Sequence, residues 1–286
     1  MIDLHLHSTF SDGQDTPEAL VDKAEAAGLS AIALTDHDTL AGWARFEAAT
    51  RGRRIRAIRG VEVSAAHREG ALHLLGYLFE EAHDGLRAML NRLQQGREER
   101  NAQIAERLAA AGIALKLDEV RGLGSVGGQI GRMHFARALV AAGHVATVPE
   151  AFDRWLARGR PAYCERFRFP AEEVVRTIHR AGGLVVLAHP GLIRVSEQQL
   201  EQIVRELAEV GLDGVEVVHS RHTADQSARL SKLARRYGLV ATGGSDYHGP
   251  DGTGAPLGGT MGGVQVPDEV LAALDERRER LIRSAV

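Results

Sequence analysis

The chain has 286 residues, 44% of them hydrophobic, which suits one large domain with a substantial core or one domain carrying an insertion. With 35 Lys/Arg against 38 Asp/Glu, the net charge of -3 excludes a globally basic nucleic-acid coat but leaves room for a local basic patch. No apolar run approaches the ~18 residues of a membrane span; the one cysteine, Cys164, excludes an internal disulfide framework and a Cys-rich zinc finger. No signal-peptide pattern opens the chain, so the expected compartment is the cytoplasm.

In chain order, residues 2–7 read as a strand and 16–28 as a helix, capped at Thr16-Pro17-Glu18 and stopped at Gly28. A strand at 31–35, a helix at 41–50 and strands at 58–64 and 72–78 follow. Residues 80–111, 132–142 and 149–158 read as helices with no clear strand among them. The alternation then resumes: helix 170–181, strand 184–189, helix 196–211, strand 214–219, helix 224–237, strand 240–246 and helix 267–284. Most of the strands are apolar on both faces, as buried parallel strands are. Strand–helix alternation predicts an α/β fold with a parallel sheet, open or closed into a barrel. Glycine-rich stretches at 122–131 and 252–263 read as loops; the first lacks the Gly-Lys-Ser/Thr ending of a P-loop. No Gly-x-Ser-x-Gly elbow is present for serine hydrolysis.

The strand-poor stretch is expected to be a helical insertion at 85–168, between barrel segments 1–84 and 169–286. It carries 14 Lys/Arg against eight Asp/Glu, opposite in sign to the rest of the chain. Such a segment is a candidate anion-binding element.

Metal-ligand residue types recur at the strand ends. His5 and His7, one residue apart, share one face of the first strand. Asp12 lies in the loop beyond them. His37, Glu62, His73, His189, Asp246 and His248 lie on or after later strands. In parallel α/β folds the C-terminal strand ends form one face, where sites assemble. Polar groups buried in apolar strands cost several kcal/mol unless paired, and a metal cluster pairs them together. Imidazole and carboxylate donors suit manganese first, with zinc or iron as alternatives. His67, His83, His144 and His179 fall in helical or loop contexts and receive no role. Cys164 has no activating context.

The segments HLHSTFSDG (5–13), TDHDT (35–39), GVEVS (60–64), AHPG (188–191) and GSDYH (244–248) resemble the PHP (polymerase and histidinol phosphatase) family. The resemblance implies a distorted (β/α)7 barrel and two or three divalent ions. His5, His7, Glu62 and Asp246 would hold one ion. Glu62 would bridge to a second, with His73 and His189. Asp12, His37 and His248 would hold a third. Glu62, Asp246 and His189 are the expected catalytic residues, in an attack of metal-bound hydroxide on a phosphate ester. GRMHFARALVAAGHV (131–145) and AFDRWLARGRPAY (151–163) are similar to the small stand-alone branch, which implies a 3',5'-nucleoside bisphosphate phosphatase. A 5'-3' exoribonuclease on short 5'-phosphorylated RNA is the alternative. A histidinol-phosphate phosphatase or a non-catalytic metal-binding domain fits the motifs less well. Arg132 and His134, then Arg158 and Arg160, are the substrate-phosphate candidates. His222, with His219 and Arg221, could face the site after the sixth strand. No membrane and no obligate protein partner is expected.

Overall fold

The computed structural model describes residues 1–122, 129–250, 256–258 and 265–284. Most of both glycine-rich stretches lies outside these residues. Eight strands are present among the described residues: β1 (Ile2–Leu6), β2 (Ala31–Leu34), β3 (Arg56–His67), β4 (Gly70–Tyr77), β5 (Phe169–Pro170), β6 (Leu184–Leu187), β7 (Gly214–His219) and β8 (Val240–Gly244). Seven run in the order β1-β2-β3-β4-β6-β7-β8, and the two-residue β5 adds to β3. A parallel bridge from Leu6 to Tyr247 brings the last strand back to the first, so the sheet is a nearly closed, distorted barrel. A Cβ on Gly244 would lie 2.4 Å from that of His5, so only glycine permits this approach.

One strand departs from the all-parallel expectation. β4 is antiparallel to both β3 and β6. The cause is legible in the spacing. Only Arg68 and Glu69 separate β3 from β4, and Gly70 turns with φ 130°. A parallel return needs a crossover of about a dozen residues or more. The reversal has a chemical consequence. His73, near the start of β4, comes level with the C-terminal ends of the parallel strands.

Barrel helices α1 (Pro17–Ala26), α2 (Trp43–Thr50), α7 (Ala171–Arg180), α8 (Glu197–Glu209), α9 (Ala224–Arg236) and α10 (Glu269–Ser284) alternate with the strands. Thr16 caps α1, accepting from the Ala19 N–H with Pro17 next in line. Reciprocal capping boxes, Ser196 with Gln199 and Thr223 with Gln226, start α8 and α9. β2 shows how the core is divided. Ala31 and Ala33 pack with Leu75, Val186 and Leu274, whereas Ile32 and Leu34 pack with Leu20 and Phe46 of α1 and α2.

Between β4 and β5 come α3 (Asp84–Ala110), α4 (Leu117–Gly122), α5 (Arg132–Ala141) and α6 (Val148–Ala151). α6 runs into a π-helical turn at Phe152–Leu156 instead of continuing as one helix. Ile104, Leu108, Val120, Phe135, Leu139 and Leu156 form an apolar cluster of their own. The 27-residue α3 belongs to both bodies. Its Leu86, Met89, Leu90 and Leu93 pack with the barrel, and its Ile104 and Leu108 with the helical cluster.

Candidate metal centre and arginine cluster

The barrel end collects ligand-type atoms at a spacing characteristic of an ion-binding site. His5 Nε2 and His7 Nε2 lie 3.4 and 3.2 Å from Glu62 Oε2, and 3.4 and 3.3 Å from Asp246 Oδ1. Two ligands about 2.1 Å from one ion at a tetrahedral angle stand about 3.4 Å apart. On the other side of Glu62, Oε1 is 2.8 Å from His73 Nδ1 and 2.9 Å from His189 Nε2, while His37 Nδ1 is 2.9 Å from Oε2. Asp12 Oδ1 faces His248 Nε2 at 3.2 Å and His37 Nε2 at 3.8 Å, with His7 beside them. All nine ligand candidates thus converge, with Glu62 at the centre. His37 adjoins both the Glu62–His73 group and the Asp12–His248 group.

Burial tests whether this constellation fits cations. His5 Nε2, His7 Nε2, His37 Nδ1, His73 Nδ1, Asp12 Oδ1 and Glu62 Oε2 are all buried without a hydrogen-bond partner. Unpaired buried polar atoms are costly, and six aimed at one volume fit a shared cationic ligand. The proton equilibria agree. Burial alone would lower His7, but the carboxylates of Asp246 and Glu62 facing it push it up to about 10. Burial would raise Glu62, yet His37, His73 and His5 hold it well below the usual carboxylate range. His73 is instead pushed down, to about 4, chiefly by burial. Divalent ions suit this mix of carboxylate and imidazole donors.

Backbone strain marks the same place. Four non-glycine residues among those described have left-handed φ: Asp38 and Asp246 at 55°, His189 at 31° and Leu78 at 59°. Three adjoin or belong to the ligand set, and each such conformation costs about 1–3 kcal/mol.

Two further buried residues complete the centre. Glu216 Oε1 lies 3.0 Å from His5 Nδ1, and its Oε2 accepts the His189 backbone N–H at 2.6 Å. It therefore orients two ligands at once. His219 Nδ1 accepts the Arg221 N–H, so Nε2 carries the proton and faces Asp246 Oδ2 at 3.4 Å. The signal for Glu216 was present in the sequence. Gly214-Val215-Glu216-Val217 repeats the Gly60-Val61-Glu62-Val63 pattern of β3.

The substrate-side expectations separate. Arg132 lies half-buried between the rings of Tyr163 and Phe152, 5.6 and 5.8 Å away, donating to the Leu156 carbonyl. His134 is fully buried; Nδ1 accepts the Gly131 N–H, Nε2 has no partner, and burial pushes its pKa down to about 4. Arg158 lines a cleft of about 580 Å³ together with His37, Glu62, His73, His189 and His248. Arg160 is exposed and ion-paired with Asp153 at 2.7 Å, not drawn into this cleft. His222 spends both ring nitrogens on backbone, accepting from the Gly191 N–H and donating to the Val217 carbonyl, so no ring nitrogen is left for a ligand.

A group of arginines lies beside the centre, of which the motifs marked Arg132 alone. Burial first, and then the neighbouring guanidiniums of Arg97, Arg132 and Arg168, lower the proton affinity of Arg100 and Arg166. Arg97 and Arg100 are buried on α3. Arg97 and Arg166 share Asp38, and Arg168 pairs with Glu165. Arg100 reaches only the Asn101 amide oxygen, at 3.3 Å, among the described residues. The Nε atoms of Arg100, Arg166 and Arg168 are buried and unpartnered. Arg194 and Arg221 join Arg158 on the cleft wall.

The comparisons with known proteins agree with this geometry. Residues 3–162 match the PHP domain family. The 3',5'-nucleoside bisphosphate phosphatase of Chromobacterium violaceum is 37% identical over 259 residues, 91% of each chain. The 5'-3' exoribonuclease Rnm of Escherichia coli is 37% identical over 250 residues, 87% of this chain and 85% of that one. A crystal structure from Bifidobacterium adolescentis, described as a metal-dependent phosphoesterase, superposes with a TM-score of 0.84 at 32% identity over 96% of both chains. The fold and the site define the class: this is a metal-dependent hydrolase of phosphate esters. The chain belongs to the PHP domain family.

Proposed function

We propose that this enzyme removes the 3'-phosphate from nucleoside 3',5'-bisphosphates, with Mn2+ as the working ion in the cytoplasm. The observation that carries this reading is the pairing of two anion-seeking centres. One is the ligand cluster around Glu62. The other is a group of five arginines, Arg97 and Arg100 buried and Arg132, Arg166 and Arg168 partly buried, that meets only two carboxylates, Asp38 and Glu165, among the described residues. A buried excess of positive charge calls for an anionic ligand. A substrate with two phosphates supplies one for each centre. Segments 1–84 and 169–286 then form the catalytic barrel, and 85–168 the insertion that reads the second phosphate.

His5, His7, Asp12, His37, Glu62, His73, His189, Asp246 and His248 would hold the divalent ions, which would supply Lewis acidity and lower the pKa of water to ~7. The other residues act around them. Glu216 holds His5 with Nε2 facing inward and fixes the His189 backbone. Arg132, with Arg97, Arg100, Arg166 and Arg168, clamps the remote phosphate, for which planar guanidinium forks are well matched. His134 Nε2 offers one more buried donor. Arg158 extends from the insertion over the cleft.

The exoribonuclease reading has its own support in the shape of that cleft. It is open, about 580 Å³, and continues past the ligands to Arg194 and Arg221. A continuing RNA chain fits such a wall, and its 3'-phosphodiester stands in the same relation to a 5'-phosphate as the 3'-phosphate of the bisphosphate does. The deciding experiment is turnover by manganese-loaded protein of adenosine 3',5'-bisphosphate, histidinol phosphate and a 5'-phosphorylated trinucleotide. Preference for the bisphosphate supports the proposal; preference for the trinucleotide replaces it with the exonuclease; release from histidinol phosphate alone removes both.

A further inference from the structure

Asp38 touches neither the ligand cluster's carboxylates nor solvent, yet it joins the two centres. It follows the ligand candidate His37, is fully buried and holds a left-handed φ of 55°. Its contacts divide into two sets. Toward the metal centre, its N–H donates to the Glu62 carbonyl at 2.9 Å, and its Oδ1 accepts the Ser64 N–H at 2.8 Å. Toward the insertion, its Oδ2 takes Arg97 Nε at 2.7 Å and Arg166 Nη1 at 3.1 Å. Its carbonyl accepts from the side chains of Gln94 and Gln129 at 3.0 and 3.2 Å. Arg166 also donates to the Ser64 hydroxyl, which closes the ring of contacts.

Four insertion side chains therefore meet one residue whose backbone is tied to β3. Joining two bodies requires only one ion pair. Here one oxygen carries two guanidiniums, and part of each fork stays uncommitted. A guanidinium has five N–H groups in a rigid fork. Asp38 occupies one edge of each, and the buried Arg166 Nε has no partner. Fixing one edge leaves the rest of the fork aimed and desolvated, the condition for strong anion binding.

We propose that Asp38 is a positioning residue that sets the distance between the scissile phosphate at the ligand cluster and the arginines that hold a second phosphate. It acts as a ruler, selecting substrates whose two phosphates are separated by one span. This inference rests on the bisphosphate reading above and names the residue that enforces it.

The test compares kcat/KM for adenosine 3',5'-bisphosphate with kcat/KM for adenosine 3'-monophosphate, in wild type, Asp38→Asn and Arg97→Ala, with bound manganese measured in each. Asp38→Asn is nearly isosteric and keeps an acceptor for the Ser64 N–H, but its NH2 would face Arg97 and Arg166, so a melting curve for each variant at assay temperature accompanies the kinetics. The expected result is a bisphosphate-to-monophosphate ratio at least about tenfold lower in both variants, as losing charge-assisted contacts implies. The change should sit in KM for the bisphosphate, with metal content unchanged. A parallel fall for both substrates, or a ratio equal to wild type, overturns the ruler and leaves Asp38 as a structural tie. A wild-type ratio near one overturns the bisphosphate reading itself, and that result is read before any variant is made.

Discussion

Replacing Glu216 by glutamine tests whether a residue that meets no substrate governs the metal centre. The carboxylate accepts from His5 Nδ1 at 3.0 Å and from the His189 backbone N–H at 2.6 Å, entirely away from solvent. Glutamine keeps one acceptor oxygen and turns the other into an NH2 group. That NH2 would face either the His5 Nδ1–H or the His189 N–H, donor against donor. A hydrogen bond to a charged group contributes about 1.5–3 kcal/mol, so losing one and straining its neighbour should weaken ion binding by roughly 10–100-fold. The assay is competitive metal titration against a chromogenic chelator, with kcat measured at saturating metal. Partial recovery of kcat at high metal concentration is expected, because the direct ligands remain. An affinity and a kcat both within twofold of wild type would refute the orienting role of Glu216 toward His5 and His189.

Three other outcomes follow from the same geometry. Glu62→Ala should abolish phosphate release and lower bound metal, since both carboxylate oxygens face imidazoles of the cluster; metal analysis beside turnover checks it, and wild-type turnover would sink the central role of Glu62. Adding chelator should lower the melting temperature as well as activity, because ligands that bind only the folded state stabilise it by about 2.7 kcal/mol at a hundredfold excess over Kd. For acid stability, burial lowers the folded-state pKa of His134 from 6.5 to about 4. The unfolded chain therefore binds this proton first, so stability is full above pH 6.5 and falls as pH drops toward 4, by about 3 kcal/mol at most. Denaturant titrations at the two pH values should show a smaller fall in His134→Gln; an identical fall would show that folding does not lower the pKa of His134.

Some of this protein was legible from local sequence alone. Helix starts such as Thr16-Pro17-Glu18 were readable because a cap and its proline act within one turn. The nine ligand candidates were readable because they recur at the ends of apolar strands, where a buried polar side chain must find a partner to offset its lost hydration. Strand four's direction was readable in principle, since two residues between β3 and β4 leave no room for a crossover. Glu216 was readable too, through its likeness to the strand around Glu62, but a single glutamate inside an apolar run does not announce which imidazole it meets.

The rest depended on packing between distant segments. Arg97 and Arg100 come from α3 and Arg166 and Arg168 from the segment leading into β5, and nothing in their spacing distinguishes them from surface arginines. Arg160 and His222 look equally eligible in the chain, yet Asp153 takes one and backbone groups take both ring nitrogens of the other. Local chemistry determined which residues can bind an ion, because ligand type and strand periodicity are properties of the chain. Tertiary structure decided which arginines face an anion, because a side chain's partners are set by the segments packed against it, and Asp38 gathers those segments in one place.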